Sequence, residues 1–160
     1  MTCVFVHSYS HFSLSLFALL LYIGSVAIAY NHIEGTFPVE LTTMTSLQAI
    51  RFSVNFLRGK IPKELANMVG LKSLQLDFNG FTGTFPTELT TLPQLDHFGV
   101  WDNKLSGTLP TEIGRFRNIR ELKFHSNQLE GTIPTEIGKL SSIGASSICC
   151  IGLEASAKVV

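Results

Sequence analysis

The sequence predicts an α/β repeat solenoid, with short parallel strands on one face and short helical turns on the other. Three observations predict it. Asparagine recurs at a spacing of 24 residues, at Asn31, Asn55, Asn79, Asn103 and Asn127. A Gly follows each Asn at offset 4, a Pro at offset 7 and a Glu at offset 9, giving for instance Gly59, Pro62 and Glu64. Apolar residues fill offsets 2, 6, 10, 13, 16, 19 and 21 in the first four units.

Each element has a physical reason. Leu74 and Leu76, Phe98 and Val100, and Leu122 and Phe124 alternate at period two, so each pair marks a strand with one apolar side. One such strand cannot bury that side alone; stacking on its neighbours makes a parallel sheet over a continuous core. The Asn sits where the chain leaves the sheet. Its amide carries donors and an acceptor, and a turn inside the coil leaves backbone groups that need both. The five Asn therefore form an expected structural ladder. The Gly permits close approach or positive φ at the bend. The Pro starts a short helical turn, with the Glu in its first turn facing the helix dipole. These Glu are scaffolding.

Composition bounds the function. The chain has 160 residues and 17.6 kDa, the size of one domain. Charged residues are 15% and hydrophobic residues 45%, with mean hydropathy +0.28, which excludes whole-chain disorder. Net charge is zero, so there is no global electrostatic case for nucleic acid. Three Cys (Cys3, Cys149, Cys150) exclude a disulfide framework.

The expected organisation has three parts. Residues 1–30 carry no charged side chain, and Phe12 to Tyr30 is long and apolar enough for a signal peptide or membrane anchor. The same segment has a second reading: Ile23, Val26, Ile28 and Asn31 keep the repeat register, so it also fits a truncated upstream repeat. Residues 31–143 are the solenoid of about five units. Residues 144–160 are a degenerate tail.

The pattern LxxLxLxxNxLxGxIPxxLGxL, typified by Asn55 to Phe78, resembles the plant-type leucine-rich repeat of receptor-like kinase and receptor-like protein ectodomains. The resemblance implies a right-handed leucine-rich-repeat solenoid. A parallel β-sheet would line its concave face and short helical turns its convex face, with a second short sheet at the GxIP segment. It implies a non-enzymatic recognition module for a protein, peptide or glycan, extracellular or at the cell membrane. The alternative is a truncated or degenerate structural repeat fragment with no ligand of its own, cytoplasmic if the N-terminal segment is a repeat. Family members usually carry Cys-containing caps; none flanks these repeats. Uncapped ends imply possible self-association, and residues 12–30 possible membrane association.

Candidate ligand-binding residues come from strand positions expected to face outward at offsets 18, 20, 22 and 23. They are Arg51, Asp77, Phe78, His97, Trp101, Asp102, Glu121, Lys123 and His125. Asp77, Trp101 and His125 share one offset and form an expected row across three strands, with Trp101 as the anchor. The competing reading is a solvated face without a ligand. No nucleophile–base arrangement, kinase motif or phosphate loop is present, so no enzyme activity and no cofactor are expected. His7 and His11 stand at i,i+4 but lack further ligands, so no metal site is expected. A Thr column at Thr36, Thr84, Thr108 and Thr132 is interrupted by Lys60, which argues against a flat ice-binding array.

Overall fold

The computed structural model describes residues 24–143 together with the backbone of two outlying strands, Cys3–Phe5 and Ile148–Cys149. In chain order the strands are β1 (Cys3–Phe5), β2 (Ser25–Ala27), β3 (Glu34–Thr36), β4 (Ala49–Arg51), β5 (Phe56–Lys60) and β6 (Ser73–Gln75), followed by β7 (Gly80–Gly83), β8 (His97–Gly99), β9 (Lys104–Thr108), β10 (Glu121–Lys123), β11 (Gln128–Glu130) and β12 (Ile148–Cys149). β1, β2, β4, β6, β8, β10 and β12 form one parallel sheet. β3, β5, β7, β9 and β11 form a second, at the segment between Asn and Pro. Each chain turn therefore visits both sheets once, and the fold is a leucine-rich-repeat solenoid.

The seven apolar offsets meet in its interior. Every one of these positions in the first four units is buried, from Ile33 to Phe124. Phe rings meet across the interior: Phe37 lies 5.6 Å from Phe52, and Phe98 lies 5.7 Å from Phe85 and 6.4 Å from Phe116. Registers keep the 24-residue step: Ile50 pairs with Leu74, and Leu74 with Phe98. In the last unit Ile133 and Ile137 are only half-buried.

The expected helical turns are 3₁₀ turns: Val39–Thr43, Lys63–Asn67, Thr87–Thr91, Thr111–Arg115 and Thr135–Lys139. Each Pro precedes its turn, and its carbonyl accepts the first bond, as Leu41 N–H to Pro38 O at 3.0 Å. A single short turn separates the Pro from the next inward apolar residue, and 3₁₀ geometry suits that length.

The Asn side chains tie successive coils together. Asn103 Oδ1 accepts from Phe81 N at 2.9 Å, while its Nδ2 donates to Leu76 O at 3.0 Å and Val100 O at 3.1 Å. Asn79 repeats this with Leu57 N, Phe52 O and Leu76 O, and Asn55 with Ile33 N, Ile28 O and Phe52 O. Asn127 does so with Leu105 N, Val100 O and Phe124 O. Asn31 donates to Ile28 O and Ala29 O. The residue before each Asn is left-handed: Tyr30 and Val54 at φ 59, Phe78 at 52, Asp102 at 53 and Ser126 at 52. That conformation costs roughly 1–2 kcal/mol for a residue with a Cβ, and is rarest for a β-branched residue such as Val.

The sheet reaches past the expected 31–143 bounds at both ends. β2 pairs in register with β4, with Val26 and Ile28 buried, and β12 pairs Ile148 with Leu122. Most of the expected signal peptide or anchor (1–30) lies outside the described residues, as do His7, His11, Cys150 and most of 144–160. Among the described residues no helix is long and apolar enough to cross a membrane.

Asn103→Ala leaves the buried Phe81 N–H without its partner and removes one of two Asn donors from Leu76 O and Val100 O, which keep Asn79 and Asn127. At about 1–3 kcal/mol for a buried group left unsatisfied, the expected loss is about 1–3 kcal/mol in urea unfolding. Asn103→Asp keeps the acceptor but loses the donors, so it is also expected to destabilise. A loss under about 0.5 kcal/mol for the Ala variant contradicts the ladder's role.

Candidate functional site

The concave sheet fixes the backbone of the candidate site. His97 pairs with Glu121, and Gly99 with both Gln75 and Lys123. The strands end at offset 20, so Asp77, Trp101 and His125 stand in the turns just beyond them. There they do form a row. Ser53 Oγ donates to Asp77 Oδ2 at 3.2 Å, and Trp101 N–H donates to Asp77 Oδ1 at 3.2 Å. The Trp101 indole stacks on the His125 ring, centroids 4.8 Å apart and 18° between planes. Phe78 meets the indole edge-on at 4.0 Å. The half-buried Trp101 is thus held between an aromatic on each side, an arrangement that fixes a large apolar surface with little rotamer freedom left to lose.

Asp77 corrects the sequence expectation. It was expected to face outward; it is buried, with 8% exposure. Its carboxyl lies over Gly99, where an added Cβ would stand 2.5 Å from Oδ1 and 2.8 Å from Oδ2. The strand position that carries Arg51, Gln75 and Lys123 in other coils is empty of side chain here, and Asp77 fills it. Glycine inside a strand is the signal that marks such close approach. Burial pushes the Asp77 carboxyl above its usual range, against the lowering pull of the Ser53 and Trp101 bonds, its own backbone N–H and the Lys123 charge.

A polar margin borders the aromatic row. Lys123 Nζ lies 2.6 Å from Glu121 Oε1, and His97 Nδ1 lies 2.6 Å from Asp96 Oδ1. Arg51 is exposed, and its Nη1 donates to Ser25 Oγ at 3.4 Å. A concave cavity of about 640 Å³ brings together Arg51, Ser53, Asp77, Phe78, Trp101 and Lys123. Glu121, His97 and His125 lie outside its lining, although His125 backs the indole. Asp102 lies elsewhere. It lines a second groove on the edge of the solenoid, with Tyr30, His32, Phe56 and Lys104. The left-handed residues of the first three turns, Tyr30, Val54 and Phe78, line both grooves. Sequence reasoning missed this edge; Phe56 immediately after Asn55 is the residue that marks it. Among the described residues no group of three or more His, Cys, Asp and Glu is placed to hold a metal.

Comparison with known proteins agrees with this architecture. The family profile described as Leucine Rich Repeat matches residues 70–92 and 118–140. The ectodomain of the Arabidopsis thaliana membrane receptor kinase GASSHO1/SCHENGEN3, solved with CASPARIAN STRIP INTEGRITY FACTOR 2, is 34% identical with TM-score 0.72. The match covers 74% of this chain and 14% of that one. The Arabidopsis receptor kinase HAESA, solved with the peptide hormone IDA and the co-receptor SERK1, is 32% identical with TM-score 0.68, covering 71% of this chain and 19% of that one. A plant ice-binding protein is 28% identical with TM-score 0.73, covering 76% and 39%. This chain therefore spans well under half the length of each of these structures. A search of curated proteins finds no match. The chain folds as a leucine-rich-repeat solenoid and is similar to part of a plant receptor-kinase ectodomain.

The buried carboxyl gives a pH prediction. Its folded pKa lies above the unfolded value near 3.8, so the folded state binds the proton more tightly. Stability contributed by Asp77 is then greatest at low pH and falls as pH rises from about 3.8 through the raised value. Asp77→Asn keeps an acceptor for Trp101 N–H and a donor for Ser53, and removes the ionisation. Its unfolding midpoint is expected to exceed that of the parent chain at pH 7, with the difference shrinking toward pH 3. A separate variant, Gly99→Ala, is expected to lower the midpoint in the parent chain and much less beside Asp77→Ala. Equal losses in both backgrounds contradict the packing of Asp77 on Gly99.

Proposed function

We propose that the chain is an extracellular recognition module that binds a peptide or protein on its concave face, as part of a cell-surface receptor. The single observation that carries the reading is the Phe78–Trp101–His125 stack, seated on a buried Asp77 and bordered by Arg51, Lys123 and Glu121. An apolar aromatic centre with a charged margin is the usual anatomy of a protein-binding hot spot. A solvated face needs no such construction: a strand glycine, a buried carboxyl and an aligned indole all serve one half-exposed side chain. The receptor-kinase structures solved with peptide partners support a protein or peptide ligand. The ice-binding neighbour shows that similar scaffolds serve other ends. Here Lys60 breaks the Thr column, so the concave patch is the better candidate.

Trp101 is the chain's single Trp, so its emission reports on this site directly. The test titrates synthetic extended peptides of mixed apolar and charged sequence into the full chain from a secretory host. A saturable emission shift is expected, and Trp101→Phe is expected to weaken binding of the same labelled peptide, read by anisotropy, by about ten-fold, the size of a modest hot spot. Binding unchanged in that variant places the ligand elsewhere. Absence of saturable binding across the series favours a scaffold without its own ligand.

A further inference from the structure

The edge groove is built differently from the concave face. The positions on either side of each ladder Asn are free of any core role, and in the later coils they are polar: Asp102 and Lys104 flank Asn103, and Ser126 and Gln128 flank Asn127. In the first coils the same positions are bulky and apolar or aromatic: Tyr30 and His32, Val54 and Phe56, then Phe78. Tyr30 is 82% exposed, Phe56 57% and Phe78 39%. Three of these residues also hold left-handed backbone, which Asn, Asp and Gly tolerate better than Tyr, Phe or above all the β-branched Val54. The His32 and Phe56 rings lie 5.5 Å apart, so the cluster is continuous across coils. The repeat demands none of this, because Asp102 and Ser126 fill the same turn without it.

The groove they line holds about 720 Å³, and its charges are lopsided. Arg58 and Lys104 both line it, and among the described residues neither is in an ion pair within 4 Å; Asp102 is the sole carboxylate in its lining.

We propose that this edge groove is a second docking surface, distinct from the concave patch, for an acidic peptide segment bearing bulky apolar side chains. The apolar side chains of such a segment cover Tyr30, Val54 and Phe56. Its carboxylates pair with Arg58 and Lys104, a complementarity that a neutral or basic segment lacks. The strained apolar turn residues are kept for contact with the partner rather than for the coil.

The experiment uses the full chain and a labelled twelve-residue peptide alternating Glu with Leu and Phe, read by fluorescence anisotropy. Saturable binding is expected, weaker by about ten-fold when Lys replaces Glu in the peptide. Val54→Asn and Phe56→Ser are each expected to weaken binding by about ten-fold. Val54→Asn is also expected to hold or raise the unfolding midpoint, because Asn relaxes the left-handed turn. The weakening by Val54→Asn and by Phe56→Ser is expected to persist in a Trp101→Phe background, which separates the edge from the concave site. No saturable binding, equal binding of the Lys peptide, or a lowered midpoint for Val54→Asn overturns the proposal. So does a concentration-dependent dimer that Val54→Asn abolishes in sedimentation, which assigns the groove to a second copy of the chain.

Discussion

The interaction on which the molecule depends is the amide of one asparagine per coil. A solenoid coil must turn away from its sheet inside the fold, where water cannot satisfy the turning backbone. Asn55, Asn79, Asn103 and Asn127 each accept from the coil before and donate to carbonyls of both coils, as Asn103 does with Phe81, Leu76 and Val100. Remove that bridge and the turns lose their partners together with the coil-to-coil register. The apolar offsets then supply the bulk of the burial, but the ladder sets where each strand ends. It also forces the preceding residue into the left-handed region, so both grooves take their shape from the same turn.

Much of the architecture was legible because it is periodic. The core positions from Ile33 to Phe124 follow from seven offsets, and each is buried. The second sheet followed from the resemblance rather than from residue alternation, since its strands run through Gly59, Gly83 and Gly107. The candidate site was legible only in part. The row of Asp77, Trp101 and His125 could be placed by counting, because one offset is one height on the sheet. The burial of Asp77 could not. Its cause lies one coil away, in the side chain that Gly99 lacks, and a periodic reading treats such positions as independent. The edge groove was invisible for a related reason: residues flanking the Asn vary from coil to coil, and variation carries no period.

The two grooves divide the chain's surface chemistry. On the concave side aromatic surface is organised by hydrogen bonds and ring stacking around one half-buried indole. On the edge the apolar side chains stand out into solvent, with Arg58 and Lys104 beside them. Phe78 belongs to both, touching the indole while lining the outer groove. A ligand that reached across this residue would contact both chemistries without any movement of the scaffold, because the ladder holds the turn that separates them.

The seating of Asp77 over Gly99 also bears on how such a chain can change over evolutionary time. Repeats of equal length invite duplication, deletion and exchange, and the core tolerates these because every coil presents the same apolar offsets. Asp77 and Gly99 stand in adjacent coils and depend on each other through a clearance of less than 3 Å. Excising the 24-residue unit that holds Gly99, or swapping it for another, preserves the solenoid and breaks the pair. The arrangement around Trp101 is therefore inherited as a block of at least two coils, and recombination that is neutral for the fold is not neutral for the surface the fold displays.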